Sequence, residues 1–206
     1  MKKMILLGWV VLMLAPVAWA QDKLEAPVWN VGDKWILRET NGRTLTSEVV
    51  DGKDDLFIVK TLSSGGVSSL FAYDKKTINI KFTITQDGRK TIHTDNDRKL
   101  FDFPIFVGKK WTDTNFIKPG KGGEYVETRF VSEFKIEGIE EVITPAGTFK
   151  AYKILYSLTH SSSHKSGRMH YWYSPDVKWY IKKELEKSPF WPDNALNREL
   201  ISYELK

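Results

Sequence analysis

The chain has 206 residues, a formal net charge of +5, eight Trp and no Cys. The missing Cys excludes a disulfide framework, thiol catalysis, cysteine-based metal sites and lipid attachment at a cysteine. Charges are interspersed rather than blocked, and exported proteins rarely meet nucleic acid, so no nucleic-acid partner is expected.

The export argument comes from the first twenty residues. Met1-Lys2-Lys3 is a short basic start, residues 4–14 are almost uninterruptedly apolar, and Ala18-Trp19-Ala20 puts small residues three and one before Gln21. This is the layout of a cleaved secretory signal peptide at 1–20. The apolar run is short for a membrane span, which needs about 20 residues. The chain has 31 Lys and Arg, so loss of Lys2 and Lys3 leaves 29 against 26 acidic residues. A chain of this length can bury about 70% of its unfolded surface, so a packed core suffices for stability. The expected protein is residues 21–206, with no membrane span after cleavage, in the periplasm or, alternatively, outside the cell.

Turn signals then recur along the chain, and the segments between them alternate in polarity, the pattern of an all-β domain. Asn41-Gly42 predicts a hairpin with a type I′ turn, and Asp51-Gly52, Asp87-Gly88 and Pro145-Ala146-Gly147 mark further turns. Ile78, Ile80, Phe82 and Ile84 alternate with Asn79, Lys81, Thr83 and Thr85, so one face is buried and one wet. Residues 149–158 are apolar on both faces and predict a strand inside the sheet. Residues 178–187 mix Lys with Glu184 and Glu186 and read as the solvated face of a strand. The one candidate helix is short, at 193–200 after Pro192, and Ile201, Tyr203 and Leu205 predict a final strand.

An internal echo suggests two halves, 27–102 and 103–206. Val31-Gly32-Asp33-Lys34-Trp35 returns as Val107-Gly108-Lys109-Lys110-Trp111, with four identities in five. Residues 50–56 are echoed by 136–142, and 70–74 by 170–174. Each half opens on an apolar lead-in, Pro27-Val28-Trp29 or Phe103-Pro104-Ile105-Phe106. Two meanders that cannot each hide a face would join into one strongly curved antiparallel sheet or half barrel, a single all-β domain with at most one short helix near its C-terminus.

Catalytic motifs are absent: there is no G-x-S-x-G, H-E-x-x-H or G-x-x-x-x-G-K-[ST]. No catalytic residue and no cofactor is therefore expected. His160, His164 and His170 lie within eleven residues and are weak metal candidates in a Ser-rich loop; His93 stands alone. The aromatic run 171–180 and the loop residue Trp191 are more suggestive. Neighbours on a strand point to opposite faces, so Tyr171 and Tyr173 share a face that Trp172 does not. These aromatics either pack a core or line a concave binding surface, in which case Trp172, Trp179, Tyr180 and Trp191 are the candidate ligand-binding residues.

Phe103-Pro104-x-x-Val107-Gly108-Lys109-Lys110-Trp111, Thr144-Pro145-Ala146-Gly147-Thr148-Phe149 and Tyr171-Trp172-Tyr173-Ser174-Pro175-Asp176-Val177 together carry a likeness. Over residues 28–184 the chain resembles a broad group of exported bacterial proteins that share a domain of unknown function. The resemblance implies a curved antiparallel sheet, loosely similar in shape to the half barrel of the periplasmic lipoprotein carriers, and brings no catalytic residues. The expected function is a non-enzymatic exported binding or envelope-associated protein that holds an apolar or amphipathic lipid or glycan ligand. The alternatives are a structural or assembly partner of an envelope protein complex and, third, a glycan hydrolase.

Overall fold

The structure, a computed structural model, describes residues 23–88, 90–92, 99–117, 128–161, 163–188, 190–191 and 196–206. The leader at 1–20, His93 and the 118–123 loop lie outside the described residues. The described residues form twelve strands. The first six are β1 (Lys34–Glu39), β2 (Thr44–Asp51), β3 (Leu56–Ser63), β4 (Ser68–Asp74), β5 (Ile80–Thr85) and β6 (Lys90–Ile92). The second six are β7 (Lys110–Ile117), β8 (Thr128–Thr144), β9 (Gly147–His160), β10 (Ser166–Ser174), β11 (Trp179–Leu185) and β12 (Arg198–Glu204). The described residues contain no helix. The expected helix at 193–200 falls partly outside them, and where it re-enters, Arg198 to Leu200 form the start of β12. Arg198 and Leu200 pair with Glu39 and Leu37, so the ladder with β1 wins over local helix signals.

All twelve strands lie in one sheet, in the order β6-β5-β4-β3-β2-β1-β12-β11-β10-β9-β8-β7. Each half is a meander, and the two meet where the first and last strands pair, Lys34 opposite Glu204 and Glu39 opposite Arg198. The edges are β6 and β7, and they are not paired with each other, so the sheet is open rather than closed into a barrel. Since neighbours are antiparallel, a shift of six places carries each strand of the first half onto one of the second that runs the same way. Two of the sequence echoes fall at equivalent places in this arrangement. Gly32 and Gly108 take φ of 97° and 88° just before β1 and β7, and residues 70–74 and 170–174 lie in β4 and β10. The third does not: 50–56 spans the β2–β3 turn, whereas 136–142 lies within β8 at a bulge.

The sheet is strongly curved. Tyr73 of β4 touches Trp179 of β11 at 5.8 Å between ring centres, although five strand spacings separate them. In a flat sheet those spacings would amount to about 24 Å. Register shifts at Ile36/Leu37, Ala72/Tyr73, Ile136/Gly138 and Trp172/Tyr173 supply bends.

The two apolar lead-ins close the concave face. Leu24 and Ile105 exchange backbone hydrogen bonds of 2.9 and 2.8 Å, which ties the segments together above the sheet. Trp29 drops from the first into a ring of Trp35, Phe57, Tyr73 and Trp179, each with a ring centre 5.2 to 5.5 Å away. Its indole N–H donates to the Lys178 carbonyl at 3.1 Å. Phe101 and Phe103 pack on Tyr173. The centre of the concave face is thus filled by the chain itself.

Two turns differ from expectation in detail. At Asn41-Gly42 only Gly42 takes a positive φ, 84°, and Glu39 N–H donates to the Arg43 carbonyl. This is a three-residue loop with glycine in the left-handed position, not the two-residue type I′ turn. Ile78 itself has φ of 57°, which ends the turn and delays β5 to Ile80. The 149–158 stretch lies in β9, flanked by β8 and β10, as its apolar character requires.

Candidate functional site

The four aromatic candidates go to four different environments. Trp179, 7% exposed, belongs to the filled centre of the concave face. Trp172, 5% exposed, lies on the opposite face of the sheet. There its indole N–H donates to Glu140 Oε1 at 2.5 Å, and the Lys153 and Lys182 ammonium groups stand 5.5 and 5.1 Å from its ring. Tyr180, 8% exposed, accepts a hydrogen bond from Arg198. Trp191 is half-buried in the β11–β12 connection and packs against the core. Most of the large aromatics are buried because the four Trp on the strands, the Trp29 that drops in from the lead-in and many Tyr pack against other side chains of one strongly curved sheet.

The three His residues do not converge. His160 and His164 close the β9–β10 turn, where His164 N–H donates to the His160 carbonyl and Ser163 N–H to His160 Nδ1. His170 is on the outer face, 3.2 Å from Glu137 and 3.9 Å from Glu186. Among the described residues no three His, Cys, Asp or Glu form a group able to hold a metal.

The strands themselves assemble a polar site beside the aromatic filling. Trp35, Leu37 and Glu39 share one face of β1, and Glu39 is buried with the other two. A row runs from it across the sheet: Glu39 opposite Arg198, Arg198 opposite Lys183, Lys183 opposite Tyr171 and Tyr171 opposite Ile154. Directly opposed residues lie on the same face, so three charged side chains sit on the core face in line. Arg198 binds Glu39 through Nε at 3.0 Å and Nη2 at 2.9 Å. Burial disfavours the Arg198 charge, but Tyr180 and Glu39 more than offset this and hold its pKa above the ordinary value. Lys183 has no such support. Burial first, then the neighbouring Arg198 charge, lowers its pKa to about 8 against a weaker opposing effect of Glu39.

A cavity of about 360 Å³ opens at this point. Its cause is a gap in the ladder: β11 and β12 pair only at Lys182–Glu199 and Lys183–Arg198 before they part. The Asn197 side chain bridges the gap beyond, accepting the Leu185 N–H at 2.9 Å. Arg38, Lys182, Lys183 and Arg198 line the cavity with Glu39, Glu184 and Glu199. Each carboxylate has a cation: Glu39 has Arg198, Glu199 has Arg38 at 2.5 Å, and Glu184 has Lys182 at 2.5 Å. Lys183 is left over, with no hydrogen bond or ion pair to the described residues.

A strap borders the site. After β11, Glu186 N–H and the Trp191 indole N–H both donate to the Arg168 carbonyl, and Ser188 Oγ donates to the Ser166 carbonyl. This lays Phe190 and Trp191 directly on Gly167: a Cβ there would come within 2.5 Å of Phe190 and 2.7 Å of Trp191. Gly167, Met169 and Tyr171 alternate on the core face, so the strap covers that face next to Lys183. Half-buried Tyr171, Leu185 and Trp191 form an apolar strip there.

Glu39, Lys183 and Arg198 were not singled out by sequence reasoning, and the 178–187 stretch is not wholly solvated as expected. Period-two counting carries the missing signal. Lys183 stands between Ile181 and Leu185, Glu39 follows Trp35 and Leu37, and Arg198 precedes Leu200. A second hollow of about 530 Å³ lies against β7–β10, but its charged residues Lys110, Glu133, Lys135 and Arg168 are all exposed, and solvent serves them.

A profile of the DUF3108-like family matches residues 108–186, from just before β7 to just after β11. That stretch contains two of the three motifs on which the resemblance was read and the end of the other. No curated protein matches the sequence. Among solved structures, the chain is similar to the hypothetical lipoprotein YmcC of Escherichia coli, at 12% identity, a TM-score of 0.46, and 89% and 90% coverage of the two chains. It is similar also to a Parabacteroides distasonis protein described as a lipoprotein, at 14% identity, a TM-score of 0.40, and 89% and 100% coverage. A third, described as an exported protein of YmcC-like fold from Bacteroides fragilis, is 16% identical, with a TM-score of 0.40 and coverage of 88% and 99%.

Proposed function

We propose that the protein is an exported, non-enzymatic binding protein that holds an amphipathic ligand at the rim of its concave face. One observation carries this reading: two cavity residues, Lys183 and Asn197, border the apolar strip, Lys183 standing opposite Tyr171 and Asn197 accepting the Leu185 N–H. A polar hollow next to half-exposed aromatic surface suits a molecule with one wet and one apolar end. The filled centre of the face leaves the rim as the place for it. The hydrolase alternative finds little support there, because a glycosidase acid needs a carboxyl free to carry a proton and the cavity carboxylates are engaged in ion pairs.

Native mass spectrometry of protein purified from its host, with lipid extraction, should reveal a bound amphiphile. Titration with amphiphiles should change the tryptophan emission, and Trp191→Phe should remove most of that change. A ligand-free protein whose emission ignores lipids and glycans would refute the proposal.

A further inference from the structure

From the charge arrangement we infer that the cavity between β11 and β12 is a seat for one anionic group, a carboxylate or a phosphate monoester, with Lys183 as its counter-ion. The inference rests on the binding reading above and names the chemistry of the ligand's polar end. The cavity is lined by four cations and three carboxylates, and each carboxylate is already neutralised by a different cation. The remaining cation is half-buried, and no hydrogen bond or ion pair joins it to the described residues around it. From β1 it faces Glu39, held by Arg198; from β12, Arg198 itself; from β10, the Tyr171 ring; on its own strand, Tyr180 and the paired Lys182 and Glu184. An ammonium withdrawn from water without a partner is unfavourable, and an incoming anion would relieve it while gaining a charge-assisted hydrogen bond. The cavity volume suits one small headgroup, and an attached chain would leave along the strip toward Trp191.

Calorimetric titration of residues 21–206 with sodium octanoate, 1-octanol and inorganic phosphate at pH 7 tests this, in the wild type and in the variants Lys183→Met and Lys183→Arg. Octanoate should bind, Lys183→Met should weaken it at least tenfold, and Lys183→Arg should retain most of the affinity. Octanol should bind more weakly than octanoate and equally to all three proteins. Phosphate binding that depends on Lys183, without octanoate binding, supports the anion seat and sinks the amphipathic reading. Octanoate and octanol binding alike, insensitive to Lys183→Met, overturns the anion seat and leaves the amphipathic reading standing. No binding of any of the three overturns both.

Discussion

The concave face has two regions built from the same strands, and they solve the problem of burial in opposite ways. Around Trp29 the face is packed with aromatic rings, the Trp29 and Trp35 indoles donate to backbone carbonyls, and the lead-ins are hydrogen-bonded to each other. A few residues further along β1, β12 and β11, the same face turns from Trp35, Leu200 and Ile181 to Glu39, Arg198 and Lys183, and the ladder opens. The lesson is that aromatic density does not mark the binding surface of this fold; it marks the part that closes. What stays open is the place where charge enters the core face and backbone pairing lapses.

The sharpest way to break this comparison is to empty the closed region. Trp29→Ala should destabilise the protein by about 3 to 5 kcal/mol, because it removes a fully packed indole at the meeting point of four rings. Denaturant unfolding reads this directly, and a loss below about 1 kcal/mol would mean that the lead-in is not part of the core. A smaller effect is expected at the border between the regions. Gly167→Ala drives a Cβ into Phe190 and Trp191 and should cost about 1 to 3 kcal/mol, with faster proteolysis within 186–197 as the strap lifts. Unchanged cleavage would show that the strap does not rest on Gly167.

Much of the closed region was legible in the sequence. Turn residues, alternation and the paired lead-ins give the all-β class, the two meanders and the strand at the chain's end, since these depend on local periodicity. The fate of Trp179 was not legible, because it depends on curvature, which brings β4 to β11 and comes from bulges that leave no local mark, and that of Trp172 depends on Glu140, Lys153 and Lys182 of neighbouring strands. The polar row was half legible. The alternation of Ile181, Lys183 and Leu185 places Lys183 inward, but a run containing Lys182, Lys183, Glu184 and Glu186 reads as solvated until β12 is known to bring Arg198 rather than an acid to its side.

The central claim is that Lys183 is a core-face cation with no hydrogen-bond or ion-pair partner among the described residues, and the pH dependence of stability tests it with the smallest perturbation. The unfolded chain keeps the Lys183 proton up to the ordinary pKa of 10.5, whereas the folded chain releases it from about 8. Between these values the unfolded state binds more protons, so this residue's penalty on folding, full below pH 8, fades as pH rises toward 10.5. The quantity to measure is the difference in unfolding free energy between Lys183→Met and the wild type from pH 7 to 10.5. The variant should be the more stable of the two at pH 7, and its advantage should shrink steadily above pH 8. Parallel curves across that range, or a variant less stable at pH 7, would contradict the account.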